Sequence, residues 1–156
     1  MVSEWTAMTS STLESYKDWP PVIATHPNQL MLFVADPKKS LHQWVFSEGT
    51  GYQWMLESTN TCLGSKVTYA FFSKDGELFA TLHKRSISIW TMDDGLRKIQ
   101  LIGMPCQEIP NSACFIDSGR YLAVNTDTAL FLYSLWDQTG ITFLNIDLEC
   151  LSGLDV

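Results

Sequence analysis

The chain has 156 residues, a formal net charge of -7 at pH 7 and a pI near 4.7, with 46% apolar, 12% aromatic and 17% charged residues. That acidic balance disfavours nucleic acid and anionic membrane surfaces, because binding phosphates needs a net or local excess of Lys and Arg. No basic segment leads into an apolar run as a secretory leader would, and no apolar stretch of about 18 residues is long enough for a membrane-spanning helix.

Residues 1–19 form the segment least regular in pattern. Ser11-Thr12-Leu13-Glu14 has the form of a capping box, in which Ser accepts from the backbone three residues on and Glu reaches back, so a short helix to about Trp19 is expected. Pro20-Pro21 would end it. A competing reading makes Glu4 to Thr9 a strand. Beyond the prolines the chain breaks into short apolar runs. Val22-Ile23-Ala24 is followed by a His26-Pro27-Asn28 turn, then Leu30 to Ala35, a turn from Asp36 to Ser40, and Leu41 to Phe46 with Trp44 near its end.

The clearest unit runs from Val67 to Ile102. Val67 to Phe72 is rich in β-branched and aromatic residues, and Ser73-Lys74-Asp75-Gly76 supplies the chemistry of a tight reversal. Glu77 to Leu82 follows, then the polar turn His83-Lys84-Arg85. In Ser86 to Trp90, Ile87 and Ile89 alternate with Ser86 and Ser88 at the period of a strand. Asp93-Asp94-Gly95 then turns the chain into Arg97 to Ile102. Shifting the sequence by 43 residues places Ala70-Phe71-Phe72 on Ala113-Cys114-Phe115, Gly76 on Gly119, and Ile87 to Trp90 on Leu130 to Tyr133, without a gap. Trp44 lies 46 residues before Trp90, so the first copy carries a small insertion. The expectation is an all-β chain of about three four-stranded antiparallel units, over residues 20–60, 64–104 and 108–148.

Phe72-Ser73-Lys74-Asp75-Gly76-Glu77-Leu78-Phe79-Ala80, followed by Ser86-Ile87-Ser88-Ile89-Trp90, resembles a blade of the WD-repeat β-propellers. The likeness implies a partial β-propeller, with Trp44, Gly76, Trp90, Gly119 and Tyr133 as structural repeat positions. The chain also departs from the family pattern. No Gly-His pair precedes a unit, and Lys84 or Arg85 replaces the Asp of the turn before the third strand, so the family's buried His, Asp, Ser and Trp network is expected to be absent. The literal Trp136-Asp137 pair is out of register and is read as coincidence. Closed propellers have about four to eight blades. Three units suggest a portion of a larger propeller, with further blades supplied in cis or from another chain; an open stack is the alternative.

Chemistry is sparse. Cys62, Cys106 and Cys150 recur at intervals of 44, which places them at equivalent turns too far apart to share a metal, and Cys114 falls in a strand. All four are read as small buried hydrophobes, with no metal and no cofactor expected. His26, His42 and His83 stand in no nucleophile setting, and the phosphate-loop and dinucleotide fingerprints are absent, so no catalytic residue is assigned. Asp93-Asp94-Gly95 lacks the ligand spacing of a calcium loop and reads as a hairpin turn.

One cluster stands out. Lys38-Lys39 and Lys84-Arg85 occupy equivalent turns, and the resemblance places such turns on a face that commonly receives peptides, with His83 at its edge. The expected function is therefore a non-enzymatic protein-interaction or scaffold module of WD-repeat-like type, taking a protein or peptide partner with an acidic segment. The rival readings are the propeller portion of a multidomain enzyme, such as a gating propeller of a peptidase, and a truncated product without a role of its own. A cytoplasmic location fits the cysteine usage, and the nucleus is also open.

Overall fold

The computed structural model describes residues 22–36, 39–47, 53–61, 63–93, 95–135 and 144–147. The helix or strand expected within residues 1–19 lies outside them. The described residues are almost entirely β structure, in three four-stranded antiparallel sheets with the strands of each in chain order. Sheet one contains β1 (Val22–Thr25), β2 (Met31–Ala35), β3 (Leu41–Ser47) and β4 (Gln53–Asn60). Sheet two contains β5 (Val67–Phe72), β6 (Leu78–His83), β7 (Ser86–Thr91) and β8 (Arg97–Gly103). Sheet three contains β9 (Ser112–Ile116), β10 (Tyr121–Asn125), β11 (Ala129–Ser134) and β12 (Leu144–Asp147). Among the described residues the sheets do not close on one another into a ring.

Each strand follows from its sequence. β7 is Ser-Ile-Ser-Ile-Trp-Thr, whose alternation sends Ile87 and Ile89 to one face and Ser88 and Trp90 to the other. The reversals use backbone that only glycine adopts without strain: Gly76 and Gly119 have φ of +82° and +85° at the β5–β6 and β9–β10 turns. A bulge sits at Gln43/Trp44 in the β3–β4 pairing and recurs at Ile89/Trp90 in the β7–β8 pairing, so the repeat extends to an irregularity of the ladder.

The sheets stack face on face. Phe33, Ala35 and Leu41 of sheet one pack against Val67, Ala70, Phe79 and Trp90 of sheet two, with the rings of Phe33 and Phe79 stacked at 4.9 Å. The opposite face of sheet two, with Ala80, Leu82, Ile87 and Ile89, packs against Leu122, Val124, Phe131 and Tyr133 of sheet three. Sheet two is thus covered on both sides, and β6 and β7 are buried from their second residue to their last. This double coverage is what a small meander needs, since one face alone leaves half its apolar surface in water.

Sheet two also holds a buried polar chain where none was expected. Trp90 Nε1–H donates to Thr81 Oγ1 at 3.1 Å, and the Thr81 hydroxyl lies 3.1 Å from His83 Nε2. Ser88 Oγ approaches the same nitrogen at 3.4 Å, and His83 Nδ1 faces the carbonyl oxygens of Ser65 and Lys66 at 3.2 and 3.3 Å. Trp90 thus has a hydrogen-bonded route to a histidine, because Thr81, His83 and Ser88 all point to the face that carries Trp90. His83 belongs to β6 rather than to the turn, which is reduced to Lys84-Arg85.

Candidate functional site

A groove of about 960 Å³ lies between sheets one and two. One wall is the outer part of sheet one, with Gln43, Glu57, Ser58 and Asn60; the other is the β7–β8 turn, with Met92, Asp93, Gly95 and Leu96. Its floor comes from the β1–β2 and β5–β6 turns, with His26, Asn28, Asp75, Gly76 and Glu77.

The floor is built by one turn docking on another. His26 Nδ1 accepts from the Asn28 backbone N–H at 3.1 Å, which leaves the Nε2–H to donate to Gly76 O at 3.2 Å. Asn28 Nδ2 donates to Asp75 O at 3.1 Å, and the His26 ring meets Phe72 edge-on at 5.0 Å. A methyl at Gly76 would overlap the His26 ring, so close turn-to-turn approach and positive φ both require glycine there. Below Gly76, the Ser73 hydroxyl donates to Asp75 Oδ1 at 2.6 Å. That bond, with the Glu77 backbone N–H at 3.1 Å, outweighs partial desolvation and holds the Asp75 carboxyl below its ordinary value.

The wall is equally organised. Gln43 Nε2 donates to Glu57 Oε2 at 2.6 Å and contacts Met31 Sδ at 3.5 Å, while Ser58 Oγ donates to Gln43 Oε1 at 2.9 Å. Glu57 is the residue that the bulge leaves without a cross-strand partner, since the register passes from Ser58 to Leu56. Four carboxylates, Glu57, Asp75, Glu77 and Asp93, line the groove together with the apolar side chains of Met31, Met92 and Leu96. Among the described residues that line it there is no Lys or Arg. Both His26 nitrogens are engaged, so the ring serves as a strut between turns rather than as a free base. Among the described residues no group of three or more His, Cys, Asp or Glu could hold a metal ion.

The residues singled out by sequence lie elsewhere. Antiparallel order puts the β2–β3 and β6–β7 turns at the opposite end of the strands from the groove floor. Lys39, at φ 70°, and the pair Lys84 and Arg85 are exposed there, while Lys38 lies outside the described residues. His83, expected at the edge of that surface, is instead 1% exposed and bonded within the sheet. Burial shifts its pKa below the ordinary 6.5, opposed by the bonds to the Lys66 and Ser65 carbonyls and aided by the positive charge of Lys98. Trp90 and Tyr133 are buried at matching places on β7 and β11, and Trp44 is half-buried on β3. Cys114 is an exposed free thiol, not a buried one, because it points to the outer face of sheet three. Cys62 and Cys150 lie outside the described residues.

No protein-family model matches this sequence, and no curated protein matches it. The fold is similar to that of a solved complex. That structure is the complex of KlAtg21 with the coiled-coil of AgAtg16, matched with a TM-score of 0.62 and 17% identity over 80% of this chain. The match covers 40% of the other chain, so the present chain spans well under half of that protein's length. At this identity the likeness concerns the fold.

The groove was not legible as a site in the sequence, though one signal was there. Gln43 takes the place that Ile89 occupies in the second unit, a polar residue in an inward-facing strand position. Its hydrogen bonds to Glu57 and Ser58 explain the exception.

Proposed function

We propose that this chain is a non-enzymatic protein-interaction module whose three sheets are successive blades of a WD-repeat-like propeller, and that the groove between sheets one and two receives an extended segment of a partner protein. The observation that carries this reading is the groove itself: its polar side chains are fixed by internal hydrogen bonds before any partner arrives, which lowers the ordering cost of binding. The solved structure of similar fold supports the class of function, since it is a complex with a coiled-coil.

The four carboxylates favour a segment carrying Lys or Arg beside an apolar residue that can meet Met92 and Leu96. A second reading keeps an acidic segment on the opposite end, where Lys39, Lys84 and Arg85 are exposed. The two are separated by titrating fluorescent Lys/Arg-rich and Asp/Glu-rich peptides against the chain and two charge-reversed forms, Glu77→Lys/Asp93→Lys and Lys84→Glu/Arg85→Glu. The groove reading expects the basic peptides to bind, to weaken with salt, and to lose affinity only in the first form. Binding of acidic peptides that disappears in the second form would move the site to the opposite end. Failure of both peptide classes to bind would remove the case for either surface.

A further inference from the structure

Sheet two leaves its last strand open. In the order β5-β6-β7-β8, β8 pairs with β7 along one edge, and among the described residues no strand pairs with its other edge. A row of backbone N–H and C=O groups faces outward there, a template for one more strand. The side chains follow the same division. Arg97, Lys98, Ile99, Leu101 and Gly103 are exposed, and only Ile102, paired with Ile87, is buried in the contact with sheet three.

Such edges are ordinarily guarded by charges, prolines or bulges that spoil pairing. β8 is guarded weakly. It has no proline, and its bulge lies toward the Arg97 end, where the register passes from the Trp90–Lys98 pair to the Ile89–Gln100 pair and skips Ile99; from Gln100 to Gly103 the ladder is regular. Lys98 is the one lysine on the strand, and its Nζ lies 4.9 Å from the centre of the Trp90 ring, so the ammonium is folded over the sheet's own face. What stands outside is apolar. Ile99 is 50% and Leu101 62% exposed, and no large apolar side chain among the described residues is more exposed than Leu101. The charge is one-sided too, since β8 carries Arg97 and Lys98 and no acidic residue in a chain of net charge -7.

We propose that the free edge of β8 receives an extended segment of another protein as a fifth strand of sheet two, with apolar side chains beside Ile99 and Leu101 and an acidic residue beside Arg97. Main-chain hydrogen bonds hold the segment, and its alternate side chains meet those of β8 at cross-strand distance, which sets the sequence that it accepts. The acidic residue distinguishes this guest from a second copy of β8, which would bring only further positive charge to the edge. No residue of β8 lines the groove between sheets one and two, so the two sites are separate.

The test titrates the full chain with a fluorescent peptide of alternating Val and Thr, of about the length of the seven residues of β8 and ending in Glu-Glu. One control peptide carries the same side chains on a fully N-methylated backbone; the other ends in Lys-Lys. The first peptide is expected to bind, and both controls to bind about tenfold more weakly or not at all. Arg97→Glu, at an exposed position and verified as folded by circular dichroism, is expected to lower the affinity several-fold. Hydrogen exchange locates the contact: amides of β8 should slow several-fold when the peptide is added, while those of Glu57 to Thr61 in the groove keep their rates. An N-methylated peptide that binds as well as its parent overturns the proposal, because the contact would not be main-chain pairing. Protection that falls on the groove and not on β8 overturns it as well, and unchanged affinity in Arg97→Glu removes the acidic guest. Absence of binding, or β8 amides that slow when the protein alone is concentrated, would also sink it, the latter because a second copy would then hold the edge.

Discussion

His83 is buried, and its surroundings favour the uncharged ring. Its Nδ1–H is satisfied by the Ser65 and Lys66 carbonyls, and its Nε2 accepts from the Thr81 or Ser88 hydroxyl, so a second proton would have to displace a donor in a desolvated place. Well above pH 6.5 the ring is neutral in folded and unfolded chains alike, and His83 adds no pH dependence. As pH falls below 6.5, the unfolded ring gains a proton that the folded ring refuses, and stability falls by at most about 1.4 kcal/mol per pH unit from this residue. Urea unfolding from pH 7.5 to 5.5 should therefore show a steeper loss in the wild type than in His83→Gln; equal slopes would assign the pH dependence to other groups. Thr81→Val removes the hydroxyl shared by Trp90 and His83 and leaves buried donors and acceptors unpaired, at a cost of about 1–3 kcal/mol. Trp90→Ala empties the largest buried position and is expected to cost roughly 3–5 kcal/mol. Unchanged thermal unfolding of either variant would contradict its place in the core. Tyr133, the counterpart of Trp90 in sheet three, donates its hydroxyl to the Met104 thioether at 3.8 Å, and burial pushes its pKa up to about 12.

At the scale of elements, the sheets are tied by turns as much as by faces. The β1–β2 turn grips the β5–β6 turn through His26 and Asn28, and Gly119 of the β9–β10 turn is approached by Leu78 of β6, whose Cδ1 would lie 2.5 Å from an added Cβ. These contacts make two glycines points of attachment between sheets. Gly64 provides the control, since its φ is +71° but nothing lies within 4 Å of an added Cβ. Gly64→Ala is expected to cost about 1–2 kcal/mol, the left-handed backbone penalty alone. Gly76→Ala must add displacement of the His26 ring, so its loss in chemical denaturation should exceed that of Gly64→Ala. Equal losses would mean that the His26 contact contributes nothing. The strands themselves were legible: in the second unit, the expected runs and the observed ones agree within a residue at nearly every boundary. β4 is not legible in the sequence, because Gln-Trp-Met-Leu-Glu-Ser-Thr-Asn alternates poorly and a bulge breaks its register. The sequence points His83 to a turn for a similar reason: a polar residue next to Lys84-Arg85 looks solvated until Thr81, Ser88 and Trp90 are brought beside it.

For the whole molecule, stability is distributed between two interfaces that share sheet two. Phe33 of sheet one packs against the rings of Phe72 and Phe79 of sheet two, at 5.6 and 4.9 Å. Phe33→Ala is expected to loosen sheet one selectively, as nearest-neighbour coupling in a stack implies. Hydrogen exchange should then show amides of β2 and β3 losing protection while those of β10 and β11 keep theirs. Uniform loss across all three sheets would show that the stack unfolds as one unit.

From the sequence alone came the repeat, the strand order within each unit, the glycine turns and the all-β class, because these depend on residues close together in the chain and on a period of two. Tertiary structure decided the rest. It made sheet two the doubly covered centre, turned His83 inward, exposed Cys114, and placed Glu57, Asp75, Glu77 and Asp93 around one groove while separating them from Lys39, Lys84 and Arg85. Alternation reports that a strand has two faces but not which neighbour each face will meet, and a groove between sheets exists only once both are in place.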